Sequence, residues 1–369
     1  MNVTNEHDRN KKLKIAYVLP HKNLTGGMKT LLEHMRQLTK RGHKVFACLK
    51  SSDSDSAVPQ WSDLDPEKDV AGHIIVPPDK GFTEYIKDVD IIMVGWITQL
   101  VEFKDSKIPV VFWEQGYEAL YGDYGQLIGS SDQTLEMLRS LYRIPVCMLG
   151  VSEVVIDILK SKYGRVAHLL PNGIDTNFYY PSDNKADNNT ILLVGNPSLS
   201  FKGFSFALDV LQKAYDYGVR FTVDWICQRK PNGIVTNFPI NYIVMPSQDE
   251  LAKTFRNASI LLSTSLYESF PLPPFEAMAS GTAVIATDNG GIRTYAIEGE
   301  NILLADQGDT ESTAAALVFL LNNIEARNAI AEAGRKTVLS YSFDKIILRL
   351  EDCLYSVLNW HNGKMGGVW

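Results

Sequence analysis

"KIAYVLPHKNLTGGMKTLLEHMRQLTKRGHKVFACLK", residues 14–50, decides the fold class. Its first seven residues are a short apolar run, as expected of a parallel strand covered on both faces. Met28, Leu31, Leu32, Met35 and Leu38 then recur at helical spacing, and Gly42 closes the helix. "KVFACLK" is a second apolar run, so the chain opens as a strand–helix–strand unit. The runs at residues 89–96, 109–116 and 145–152 extend the pattern into one doubly wound α/β domain.

Residues 169–181, "LLPNGIDTNFYYP", break it with Pro, Gly, Asn and Asp. A second strand–loop–helix series follows, beginning at "NNTILLVGNPSLSFKGFSFALDVLQKAYDYG" and continuing through "RFTVDWICQ", "INYIVMP", "ASILLSTS" and "GTAVIATDNGG". Ser247 and Glu250 form a capping box within this series. The last stretch is mostly helical, interrupted near "SYSFD". The expected domains are 1–172 and 173–342, with 343–369 a helix crossing back to the first. Ligands of such sheets lie at the carboxyl ends of the strands, which predicts a substrate cleft facing both domains.

A chain of 369 residues fits two domains. No apolar run is long enough to span a membrane, and the polar first residues lack the apolar core of a secretory signal. Cys48, Cys147, Cys227 and Cys353 are scattered, which implies neither a disulfide framework nor zinc. A cytoplasmic location is the expectation. Net charge is −7, yet the first fifty residues hold 11 Lys/Arg against 3 Asp/Glu, or +8, leaving −15 for the remainder. That asymmetry suits either peripheral contact with an anionic membrane or a solvated tail around Lys11, Lys12 and Lys14. The acidic balance and the lack of a basic stripe argue against nucleic acid.

Three stretches carry candidate chemistry. Gly26 and Gly27 sit where a strand turns into a helix, a place suited to phosphate or to close approach of a sugar. A plain turn is the more common explanation of such a pair, since the pattern is neither G-x-G-x-x-G nor a P-loop. In "VGNPSLSFKG", Lys202 arrives as a helix begins and forms an anion site or a surface lysine.

"YESFPLPPFEAMASG", residues 267–281, is the most informative stretch. The strand before it is expected to end near Leu266, placing Glu268 on a loop. Pro273 and Pro274 suit a first helical turn. Glu276 then falls in the first turn of a helix spanning residues 275–280 and stopped by Gly281. Amides around Ser269, Phe270, Pro271 and Leu272 are left to receive an anion while the glutamates accept hydroxyls on either side. A diphosphate joined to a ribose and a hexose fits; a capping glutamate plus a surface glutamate is the plain alternative. "SDSD" and "DLD" at residues 52–65 resemble metal-binding pairs but read as solvated loop, and the seven histidines lack metal-ligand spacing. "WEQGYEALYGDYG", residues 113–125, mixes aromatic and hydrogen-bonding groups suited to carbohydrate or to loop packing.

Together, "LPNGID" followed by F and P, "ESFPLPPFEAMASGTAVIAT", "GGMKTLLEHMRQLTKRGHKV" and "SYSFD" resemble the GT-B fold glycosyltransferases, specifically family 4 with its E-x7-E motif. The resemblance implies transfer of a sugar from a nucleotide-diphosphate sugar to a carbohydrate or lipid-linked acceptor, with retained anomeric configuration and without metal or other cofactor. It implies that Glu276 binds ribose, Glu268 and Lys202 act on the donor sugar and diphosphate, and the Ser269–Leu272 amides, Gly26 and Gly27 line the phosphates. The family's arginine before the lysine is replaced here by Asn196, so one phosphate-neutralising charge is missing or is supplied elsewhere, by Arg229 or Arg293. Pro271 stands where the family has glycine, and a histidine usual near "WEQGYE" is absent. These departures leave donor sugar and base open. The rival readings are a nucleotide-sugar epimerase of the same architecture, a non-catalytic sugar-nucleotide-binding protein and, third, an NAD-dependent dehydrogenase.

Overall fold

The computed structural model describes residues 11–53, 55–116, 120, 132–182 and 189–363. The chain forms two compact units, one of residues 1–173 with 343–369 and the other of residues 174–342.

Among its described residues the first unit carries seven parallel strands: β1 Lys14–Val18, β2 Lys44–Lys50, β3 Gly72–Val76, β4 Ile91–Val94, β5 Val110–Glu114, β6 Cys147–Gly150 and β7 His168–Leu169. Their spatial order is β3-β2-β1-β4-β5-β6-β7. Every residue of β4, β5 and β6 is buried, which is why continuous apolar runs were their signature. The helix Gly26–Lys40 buries Met28, Leu31, Leu32, Met35 and Leu38 against the sheet side, matching the spacing read from sequence.

Helix Phe343–His361 completes this unit and packs on helix Gly26–Lys40. A buried ion pair fixes it there: Glu351 Oε1 lies 2.7 Å from His43 Nε2, and Glu351 Oε2 lies 2.7 Å from Arg41 Nη2. His43 Nδ1 accepts the Leu13 amide at 3.1 Å, so Nε2 carries the proton given to Glu351.

Among its described residues the second unit carries six parallel strands: β8 Thr190–Val194, β9 Thr222–Cys227, β10 Ile240–Val244, β11 Ile260–Ser263, β12 Ala283–Thr287 and β13 Leu303–Ala305, in the order β10-β9-β8-β11-β12-β13. Its core joins Ile191, Leu193, Trp225, Ile260 and Ile285 of the sheet to Ala207, Leu211, Leu317 and Leu320 of the helices.

Strands β3, β7 and β13 did not register in the sequence reading. They are short, lie at sheet edges, and keep most of their residues only half-buried. Strand β11 ends at Ser263, not near Leu266, and the helix after it runs Leu272–Ala279, three residues ahead of its expected start. Pro273 and Pro274 occupy its first turn, where missing amides cost nothing. Glu276 therefore sits one turn into the helix.

In each unit the chain leaves the first strand on one side and returns on the other. The switch falls between β1 and β4 in the first unit and between β8 and β11 in the second. Residues following these strands are the ones positioned to meet a ligand.

Candidate active site

At the β8/β11 switch, the turn after β8 carries Lys202 and the loop after β11 carries Glu268. The two side chains meet: Lys202 Nζ lies 2.5 Å from Glu268 Oε1, and both are more than four-fifths buried. Ser265 Oγ donates to the same oxygen at 3.0 Å. Phe201 stacks on Tyr267 with ring centroids 4.9 Å apart, and the Lys202 ammonium lies 5.2 Å from the Phe201 ring.

Backbone holds the pair in place. Thr264 Oγ1 donates to the carbonyls of Lys202 and Gly203 at 3.1 and 3.0 Å, and the Leu266 amide donates to Phe201 at 2.7 Å. Gly203 has φ +66°, and a Cβ there would lie 2.1 Å from the Thr264 carbonyl oxygen. Only glycine lets the lysine turn come this close to the glutamate loop.

A second contact approaches from the end of β12. The Glu268 amide donates to Asn289 O and the Gly291 amide to Glu268 O, both at 3.1 Å. A Cβ on Gly291 would lie 2.3 Å from the Ser269 carbonyl oxygen. Sequence reasoning assigned no role to "DNGG", although a glycine pair directly after a strand is itself a sign of close backbone approach.

Glu276 is separately held. The buried Tyr179 hydroxyl donates to its Oε1 at 2.9 Å. Burial, then the neighbouring Glu276 carboxylate, pushes the Tyr179 phenol well above its ordinary range, so it remains a donor. Arg335 Nη1 donates to the carbonyls of Tyr179 and Ala279 at 2.8 and 2.6 Å, tying that tyrosine's segment to the end of helix Leu272–Ala279. Neither Tyr179 nor Arg335 was found from sequence.

Pro271 has no amide hydrogen, so the expectation that all four residues from Ser269 to Leu272 offer N–H groups is corrected. The amides of Phe270 and Leu272 have no hydrogen-bond partner among the described residues. Pro271 contributes its carbonyl instead, which accepts the buried Tyr295 hydroxyl at 2.6 Å. Tyr295 packs against Phe270 and Phe275 at 5.1 and 5.0 Å. Proline fixes φ at this position, at −67°, where the expected glycine would leave it free.

Asn196 bonds Gln228 at 3.3 Å, next to Arg229 at the end of β9. Arg293 instead pairs with Asp288, Nε to Oδ2 2.8 Å, with most of its side chain in solvent. Among the described residues no group of three His, Cys, Asp or Glu could hold a metal. Asp63 pairs with Arg36 at 2.8 Å and Asp65 with Lys68 at 2.9 Å. Part of "SDSD" lies outside the described residues.

In the first unit, Gly26 and Gly27 begin their helix, and Thr25 Oγ1 caps it by accepting the Met28 amide at 3.2 Å. A cavity of about 250 Å³ opens beside them at the β1/β4 switch, lined by His21, Trp96, Glu114 and Gln115 among others. Trp113 to Gly116 of "WEQGYEALYGDYG" border this cavity, while residues 117–119 and 121–125 lie outside the described residues. Besides Arg36 and Arg41, other basic residues of the first fifty are paired: Lys11 with Asp90 at 3.1 Å, Lys14 with Asp88 at 2.5 Å and Lys50 with Glu102 at 2.7 Å. Among the described residues no helix is long and apolar enough to cross a membrane.

Two parallel sheets with these switch points have solved counterparts. Sucrose-phosphate synthase from Thermosynechococcus elongatus superposes with a TM-score of 0.76 at 16% identity, covering 95% of this chain and 100% of that one. The Anabaena protein HepE in complex with UDP and glucose gives 0.72 at 15% identity, covering 93% and 100%. The chain has the GT-B fold. Within it, residues 237–337 match the family model for glycosyl transferases group 1, a span holding Glu268, Glu276 and the glycines after β12. An uncharacterised glycosyltransferase of Methanocaldococcus jannaschii is 28% identical over 204 residues, 54% of this chain and 57% of its own. The chain spans about half the length of the curated relatives it matches first.

Proposed function

We propose that this GT-B chain is a retaining glycosyltransferase, moving a sugar from a nucleotide-diphosphate sugar to a hydroxyl of a carbohydrate or lipid-linked acceptor in glycoconjugate or polysaccharide synthesis. The Lys202–Glu268 pair at the β8/β11 switch carries the reading. A cation and a carboxylate held together beside free amides suit a ligand with a diphosphate at one end and hydroxyls at the other. The Anabaena neighbour, which holds UDP and glucose, supports a donor of this class. Nothing in the site favours an epimerase.

In this reading Glu276, oriented by Tyr179, accepts the ribose hydroxyls. The amides of Phe270 and Leu272, with Ser269 and the turn at Pro271, receive the diphosphate. Lys202 shifts from Glu268 toward the phosphate as negative charge grows there, and Glu268 takes a hydroxyl of the donor sugar. Asn196 and Arg229 border the phosphate side. The acceptor oxygen forms its bond to the anomeric carbon as the bond from that carbon to the phosphate oxygen breaks, on the same face. The acceptor's proton passes to the departing phosphate oxygen. Fixed charge aimed at the leaving group is the largest contribution available to such a site.

Thermal-shift measurements with UDP-, GDP-, dTDP- and ADP-sugars test the donor class, because a bound donor raises apparent stability by mass action. A rise with one of the four is expected; no rise with any overturns the donor assignment. An inverted anomeric configuration in the product, read by NMR, overturns the retaining mechanism. The basic first fifty residues further suit peripheral contact with an anionic membrane, and failure to pellet with anionic vesicles at low salt overturns that reading.

A further inference from the structure

The first unit's cavity has its own chemistry. At about 250 Å³ it falls below the range typical for drug-sized ligands, roughly 300–1,000 Å³, and suits one small ring. One wall is aromatic: Trp96 with His21 edge-on, their centroids 6.0 Å apart. The opposite chemistry comes from the end of β5, where Glu114 and Gln115 face the same space.

Charge in this cavity is one-sided. Among the described residues lining it there is no lysine or arginine, and Glu114 contributes a carboxylate. That carboxylate is oriented, accepting the Gly116 amide and the Tyr142 hydroxyl, both at 2.7 Å. Burial lowers the His21 imidazole below its ordinary value, leaving it uncharged at neutral pH. Its Nδ1 accepts the Asn23 amide at 3.2 Å, so Nε2 is the ring's donor.

The helix start opposes this negative field only weakly. A helix amino terminus carries roughly half an elementary charge, against a full one on a carboxylate. Thr25 already takes the Met28 amide, and the Gln115 amide oxygen lies 3.2 Å from where a Cβ on Gly27 would sit. Part of the helix end is thereby screened from the cavity.

We propose that this cavity is the acceptor subsite for a single uncharged pyranose ring, its apolar face on Trp96 and its hydroxyls on Gln115 and His21, and that Glu114 excludes phosphorylated or carboxylated sugars. Aromatic faces pack well against such rings while polar neighbours set orientation. The inference rests on the transferase reading, and it adds which acceptors that enzyme takes.

Saturation-transfer NMR on the full chain tests it, with the methyl glycosides of glucose, galactose, mannose and rhamnose, and with glucose, galactose and mannose 6-phosphates. At least one neutral glycoside should bind, at least tenfold more tightly than its 6-phosphate where one is in the set. Trp96→Ala should weaken that binding at least tenfold, whereas Trp96→Phe, which keeps a flat ring, should retain most of it. Gln115→Lys should raise affinity for the 6-phosphate. Wild-type protein that prefers a 6-phosphate, or glycoside binding unchanged by Trp96→Ala, overturns the proposal. A chain that binds a nucleotide-sugar donor but no pyranose loses this inference alone, while one that binds neither loses the transferase reading too.

Discussion

The two units use the same topological device with different contents. In each, a parallel sheet reverses its winding direction beside its first strand, between β1 and β4 or between β8 and β11. At the first switch the strands deliver glycines, aromatic rings and one oriented carboxylate around a small cavity. At the second they deliver a buried cation–carboxylate pair, a tyrosine-held glutamate and a doubled backbone clamp. Sheet topology decides where a ligand can sit; the few residues after each strand decide what it can be. The contrast predicts that charge changes at the second switch act on donor chemistry, while the first unit's Glu351, buried away from its switch, acts on stability.

Lys202→Ala should have the largest effect. It removes the only cation placed against Glu268 among the described residues and leaves that carboxylate without its counter-charge. Loss of one preorganised group facing a developing negative charge costs about 10²–10³-fold in kcat. Steady-state transfer assays check this, and a variant retaining full rate would end the assignment of Lys202 to the leaving group. Glu268→Ala should fall in the same range, with the thermal unfolding midpoint reported alongside to separate misfolding from chemistry.

The first unit's Glu351 is the control for that comparison, a buried carboxylate paired to Arg41 and hydrogen-bonded by His43, away from either switch. Burial pushes its carboxyl up, but the hydrogen bonds from His43 and Arg41 outweigh this and hold it at about 2, against an ordinary 4.5. A carboxyl held down on folding stabilises the folded state fully above its unfolded value, and the contribution is lost as pH falls from about 4.5 toward 2. Denaturant unfolding of wild type and Glu351→Gln should differ most at neutral pH and converge on acidification. A difference that does not change with pH across that window would show that the glutamate is not ionised in its pair. Transfer kcat should be unaffected, in contrast to Lys202→Ala.

Tyr179→Phe is smaller. It removes one hydroxyl from Glu276 and keeps the ring packed against Phe178 and Phe255. A hydrogen bond to a charged group contributes about 1.5–3 kcal/mol, part of which solvent recovers in the variant. Donor KM should therefore rise about tenfold with acceptor KM unchanged. Equal rises for both substrates would place Tyr179 in general stability and separate Glu276 from the ribose.

What the sequence made legible follows from where each signal resides. Buried parallel strands such as β5 and β12 announce themselves, since every residue in them must be apolar or small. Edge strands β3 and β13 carry weaker patterns because solvent takes part of their surface. Glu268, Glu276 and Lys202 were readable as charges beside glycine and proline turns, and the structure brings Glu268 and Lys202 into contact across 66 positions. Tyr179 and Tyr295 were not readable. Their hydroxyls reach partners 97 and 24 positions away, and an aromatic residue in a loop looks the same whether it fills space or orients a carboxylate. The role of Pro271 was hidden for the same reason, because its carbonyl acquires meaning only once Tyr295 folds beneath it.

The smallest effect belongs to the missing phosphate-binding arginine, and it discriminates between two substitutes within the second unit. Arg293 follows the β12 glycines and lies close to the glutamate loop in sequence order, but its guanidinium is occupied by Asp288 and largely in solvent. A water-screened pair of this kind contributes little, so Arg293→Ala should change donor KM by less than about threefold. Arg229 follows Gln228, the residue that bonds Asn196 where the extra cation would be expected. If charge is recruited there, Arg229→Ala should raise donor KM more than Arg293→Ala does, with the gap narrowing as salt is added because exposed charges are screened. Equal, small effects from both would mean that Lys202 and the loop amides hold the diphosphate without a second cation from this unit.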